Sequence, residues 1–109
     1  MRIYLILNPC RDFNVLDKLV MNVIDEARKE RRKLIIISLL CNELNYVEYF
    51  RKLNEVLSNV YDVSTYLYEV YSIRDALNIV EKEYTTNDKI YSTMIIEDSK
   101  FNYQVLRVD

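Results

Sequence analysis

No glycine occurs among the 109 residues, so every tight turn and helix end must be made by residues that carry a Cβ. At average usage a chain of this length would hold roughly seven or eight. Backbone that passes close to a phosphate is usually glycine, and neither G-x-G-x-x-G nor G-x-x-x-x-G-K-[ST] can be found here. Histidine and tryptophan are also absent, which removes the commonest general base and metal ligand and the best aromatic stacking platform. The sequence therefore leans away from an enzyme, with no catalytic residues, no metal and no cofactor expected.

The apolar pattern alternates between strand and helix periods. Arg2 to Leu7 is a short apolar run closed by Asn8-Pro9 and reads as a buried strand. From Val15 to Ala27 the apolar residues form one stripe of a helix that ends near Arg32, with Asn14 as its N-cap. Lys33 to Leu40 is apolar on both faces, as a central parallel strand requires. A second helix follows, capped by Asn45 with Glu48 three residues on, and Val47, Phe50, Leu53, Leu57 and Val60 face the core.

Val63 to Val70 is the third strand, and Ser72 caps a third helix through Ile73, Leu77, Val80 and Tyr84. Ile90 to Glu97 and Phe101 to Val108 read as a closing hairpin. The order β-α-β-α-β-α-β-β over residues 1–109 predicts a single α/β domain. It is a three-layer sandwich on a mostly parallel five-stranded sheet with an antiparallel C-terminal edge strand. The expected strand order is 2-1-3-4-5, with a ferredoxin-like plait as the alternative. With no glycine, Asn59 and Asn87 are the expected left-handed residues after the second and third helices.

Ligands of open α/β sheets bind beyond the carboxyl ends of the strands, where strand order reverses. In the expected order that crevice is lined by Asn8, Arg11 and Asp12, by Asn42 and Glu43, and by Tyr71, Ser72 and Arg74. Arg11 and Arg74 would clamp a phosphate, so a nucleotide or oligonucleotide is the alternative ligand class. A weaker pattern, Asp98-Ser99-Lys100 after an apolar strand with Asp62 or Glu69 as second acid, has the residue types of a Mg²⁺-dependent nuclease, but it lies in a turn.

Cys10 and Cys41 follow apolar runs and lack any C-x-x-C spacing, so they read as reduced filler at strand ends. No charged-then-apolar leader opens the chain and no apolar run approaches ~18 residues. The expected location is the cytoplasm, with no membrane partner. Five basic residues, Arg28, Lys29, Arg31, Arg32 and Lys33, lie in a window of six, although the net charge is −2. Cations are favoured at the end of a helix, so the run reads as structural, and nucleic acid is a disfavoured partner.

Ten tyrosines are the more distinctive excess. Tyr46, Tyr49 and Val56 widen the apolar surface of the second helix, while Phe101, Tyr103 and Val105 belong to a terminal edge strand with few charges. Both features predict burial against a second copy of the chain. The leading expectation is thus a non-catalytic binding or interaction module that works as a homodimer. Residues with A/T-rich codons dominate, as in many small phage and archaeal-virus proteins, which makes a host protein one expected partner.

Overall fold

Strand β1 (Arg2–Leu7) is buried from Ile3 onward and β2 (Lys33–Leu39) from Leu34 to Ser38, because both faces of each are covered. The computed structural model describes residues 1–10, 13–41, 46–59, 63–97 and 100–106, with backbone alone at 13–15 and 46. Alternate side chains feed two cores. Ile3, Leu5, Leu7, Leu34 and Ile36 meet helices α1 (Phe13–Glu30) and α2 (Tyr46–Ser58). Tyr4, Ile6, Ile35 and Ile37 meet helix α3 (Ile73–Glu83) and Met94, Ile96, Phe101 and Tyr103.

The remaining strands are β3 (Thr65–Val70), β4 (Lys89–Ser92) and β5 (Gln104–Val105), and the sheet order is β3-β2-β1-β4-β5. The expected α/β fold, with helices between the strands of a five-stranded sheet, is what the chain forms. Two expectations are corrected. The order is 3-2-1-4-5 rather than 2-1-3-4-5, and β5 lies parallel to β4 where an antiparallel edge was expected.

Both corrections follow from which face each connection takes. Crossovers between parallel strands share one hand, so the face that a connection covers decides the direction in which the chain steps. Helices α1 and α2 lie on the same face and carry the chain outward from β1 to β2 to β3. Helix α3 lies on the other face and brings it back past β2 and β1 to β4.

Met94, Ile96, Phe101 and Tyr103, between β4 and β5, lie on that second face, and β5 is one step further in the same direction and parallel to β4. No helix occurs between them among the described residues. Extension stops at Ser92, whose hydroxyl donates to the Met94 carbonyl at 2.6 Å and accepts from the Met94 N–H at 3.1 Å, while the Thr93 N–H turns inward to the Ile6 carbonyl. Met94 and Ile96 then pack on the core as loop residues, and the Tyr103 hydroxyl closes the segment on the Ile96 N–H and C=O at 2.7 and 2.9 Å.

Helix ends show how the chain does without glycine. Helix α1 ends in a Schellman motif: Arg32 N–H reaches the Ala27 carbonyl at 2.9 Å and Arg31 N–H the Arg28 carbonyl at 3.3 Å. Arg31 takes the left-handed position there, with φ 55°, and is the one residue with positive φ among those described. Asn59 and Asn87 do not adopt it, contrary to expectation. Helix α3 needs no such residue, because Tyr84 leaves it in an extended conformation. Ser72 caps α3 as expected, accepting from the Asp75 N–H at 3.2 Å, whereas Asn14 lies inside α1 rather than ahead of it.

Candidate functional site

The strand order moves the reversal point from between β1 and β3 to between β1 and β4. At the carboxyl end of that pair the Asn8 N–H donates to the Thr93 hydroxyl at 3.0 Å, and the Asn8 side-chain oxygen accepts from the Cys10 N–H at 3.1 Å. Of the residues expected to line one crevice, Asn8 alone is described at this junction. Tyr71, Ser72 and Arg74 follow β3, which is separated from β1 by β2. Arg11, Asp12, Asn42 and Glu43 lie outside the described residues, as do Asp62, Asp98 and Ser99 of the nuclease pattern. No cluster of three or more His, Cys, Asp or Glu able to hold a metal occurs among the described residues.

Cys10 and Cys41 are joined in a disulfide with Cα atoms 5.6 Å apart, which corrects the expectation of two reduced thiols. The bond ties the segment after β1 to the segment after β2. The expectation of a cytoplasmic location rested on the lack of a leader and of a long apolar run, and the reduced thiols that went with it are what the disulfide removes. No helix of the described residues is long and apolar enough to cross a membrane.

Arg74 does acquire a neighbourhood, though a different one. With Lys100, Glu81, Glu97, Leu77 and Phe101 it lines an open groove of about 360 Å³ between α3 and the segment that leads to β5. Two cations and two carboxylates share this groove, so it presents no single sign of charge to a phosphate. The basic run at the end of α1 is likewise occupied. Arg32 donates to Glu30 at 2.6 Å and to the Asn87 carbonyl at 2.8 Å, and the Lys33 ammonium sits 4.6 Å from the centre of the Tyr66 ring.

The residues expected at a dimer interface are largely used inside the monomer. Tyr49 is 4% exposed in the first core, and burial pushes its hydroxyl well above the ordinary value. Val56 packs against the same core, and Phe101 meets Tyr84 edge to face at 4.8 Å in the second. Tyr103 closes its own loop, Val105 pairs with Ser92 in a strand of two residues, and the Tyr46 side chain lies outside the description.

The long open edge is at the other side of the sheet. Strand β3 is six residues long, pairs with β2 along its whole length, and has no strand on its outer side among the described residues. Tyr66 and Tyr68 are each 43% exposed on the face that α3 covers only in part, and Tyr71 beyond them is 86% exposed. Leu40, bonded to the Val70 carbonyl through its N–H, and Val47 on α2 are exposed as well. Of the eight exposed large apolar side chains among the described residues, Tyr66 and Tyr68 lie in β3, Tyr71 just past it, Leu40 just past β2 and Val47 on α2. Behind Tyr68 lies a cavity of about 140 Å³ lined by Tyr4, Ile35, Ile79 and Lys82. The Tyr4 hydroxyl is buried there without a hydrogen-bond partner among the described residues, and its pKa is raised first by burial and then by Asp88.

Composition could have found this edge. T-Y-L-Y-E-V carries one charge and alternates aromatic with non-aromatic residues, but the expected strand order placed it inside the sheet. Comparison with protein-family models, with curated proteins and with solved structures finds no match to this chain.

Proposed function

We propose that this chain is a small interaction module, without catalytic residues of its own, that works as a homodimer through the open edge of β3. The reading is carried by exposed Tyr66, Tyr68 and Tyr71 on and just past a six-residue edge strand, with Leu40 bonded to its last residue, whereas the opposite edge is only two residues long. Long apolar edges pair with other strands unless something blunts them. Here the single charge of the strand is Glu69.

Light scattering tests the proposal. At micromolar concentration the solution mass should be twice the 13.2 kDa of one chain. Thr65→Pro should return it to one chain mass without unfolding the protein, because the Thr65 N–H faces away from β2 and proline is tolerated at such positions. A wild-type chain that stays monomeric would overturn the proposal.

A second reading is favoured by one observation, the reversal of strand order between β1 and β4, where doubly wound sheets hold nucleotides. On it, a nucleotide or oligonucleotide binds at the carboxyl ends of these strands. A nucleotide that raises the melting temperature, with the rise abolished by Arg11→Ala, would support it. The absence of glycine from the loop after β1 weighs against it, since a Cβ keeps the backbone away from a bulky anion.

A further inference from the structure

The polarity of the β3 edge restricts how a second copy can join it. The Leu34 N–H bonds to the Ser64 carbonyl and the Leu40 N–H to the Val70 carbonyl, so even-numbered residues of this stretch turn their backbone groups toward β2. Strand alternation then turns the backbone groups of Thr65, Leu67 and Glu69 outward. A two-fold axis that continues the sheet leaves each face on its own side, so opposed residues must share a face. Tyr66 and Tyr68 lie on the α3 face, aligned with Ile35 and Ile37, while Leu67 packs with the α1 and α2 core.

Three central registers meet these conditions, with the axis at Tyr66, Leu67 or Tyr68. An axis at Tyr68 sets Glu69 against the partner's Leu67, and an axis at Tyr66 sets Thr65 against the partner's Leu67. Both waste the one polar match available. An axis at Leu67 opposes leucine to leucine and sets Thr65, whose hydroxyl can donate, against the partner's Glu69 carboxylate. It also holds the two Glu69 side chains four residues apart along the ladder. On the other face it makes two tyrosine pairs in non-hydrogen-bonded positions, where cross-strand side chains approach most closely.

We infer that two copies of the chain pair their β3 strands antiparallel about a two-fold axis at Leu67, setting Tyr66 of each opposite the partner's Tyr68, so that two five-stranded sheets become one of ten. The inference rests on the homodimer proposed above and names its interface. Thr65, Leu67 and Glu69 supply the backbone ladder, and the tyrosines supply the contacts that fix its register. Lys33, seated over the Tyr66 ring, holds that side chain in place for its mate.

Variants that each add one cysteine to the Cys10–Cys41 disulfide test the register under mild oxidation. A mixture of Tyr66→Cys and Tyr68→Cys should give a covalent dimer, and neither variant alone should. Circular dichroism checks that each is folded, and the mass of Thr65→Pro provides a readout that needs no new cysteine. Cross-linking of Tyr68→Cys by itself would place the axis at Tyr68 and overturn this register. A wild-type dimer that persists in Thr65→Pro and yields no cross-link would overturn this interface while leaving the homodimer standing. A monomeric wild-type chain would remove both.

Discussion

The two ends of the sheet are held by different chemistry. At the amino ends of the strands, Asp88 is buried and accepts from the Arg2 N–H at 2.8 Å and the Thr85 N–H at 3.0 Å, with the Arg2 guanidinium 3.8 Å away. Beside it Glu30 takes bonds from Lys89 and Arg32, and Glu26 accepts from the Tyr91 hydroxyl at 2.6 Å. The carboxyl ends are tied by the Cys10–Cys41 disulfide, the Asn8 to Thr93 bond and the Tyr103 loop closure. One end therefore answers to pH and salt, and the other to redox state.

The largest effect expected from this contrast is at the carboxyl end. Replacing both cysteines with serine frees a loop of 31 residues of separation, and chain-entropy reasoning gives a loss of about 3–4 kcal/mol. Urea unfolding with and without a dithiol reductant measures it. Identical midpoints would mean that the disulfide contributes nothing to the contrast.

Asp88→Ala is the corresponding break at the amino end. It strands two backbone N–H groups and the Arg2 charge, for an expected cost of about 2–3 kcal/mol. Asp88→Asn, which keeps one acceptor, should lose less. A cost below that of the tyrosine variants would show the network to be decoration on a sheet held elsewhere.

Tyr91→Phe and Tyr103→Phe sharpen the comparison, since each deletes one hydroxyl, bonded to Glu26 in the first case and to the Ile96 backbone in the second. Each should cost about 1–2 kcal/mol. The first has a pH signature. Burial first, and then the bond to Glu26, hold the Tyr91 hydroxyl above its ordinary value of 10, so the folded protein keeps a proton that the unfolded chain releases. That stabilisation is whole below pH 10 and is lost as pH rises through the folded-state value. A wild-type alkaline unfolding curve parallel to that of Tyr91→Phe would contradict it.

Lys89→Met should have the smallest effect. The bond from Lys89 is the first cause holding Glu30 below its ordinary 4.5, so its share of stability is present above that pH and lost as the carboxylate is protonated in acid. Both groups are partly exposed, and the difference from wild type should shrink as salt is added.

Much of the fold was legible because β1, β2, α1 and α3 carry their period in their own residues. A strand such as KLIIISL can only be central. Strand order was not legible, since it depends on which face each helix covers, and α2 would look the same on either. The closing hairpin failed for a related reason. Met94, Ile95 and Ile96 look like an extended run, but the Ser92 side chain bends the chain before a ladder can form. The disulfide was missed although the expected order already set β2 beside β1, because two cysteines 31 residues apart, each ending an apolar run, lack the C-x-x-C spacing that marks a pair in sequence. The expectation that tyrosines mark an interface was placed on α2 and β5, where packing consumes them, and the same reasoning applies to β3 once β3 is an edge.

The left-handed Arg31 gives the glycine-free composition a local consequence. A side chain there crowds the carbonyl that follows it, a tension that only this turn among the described residues carries. Elsewhere among the described residues a glycine would loosen the chain. Between α1 and β2 it would relieve it, so this corner is where the protein has room to become sturdier by losing atoms.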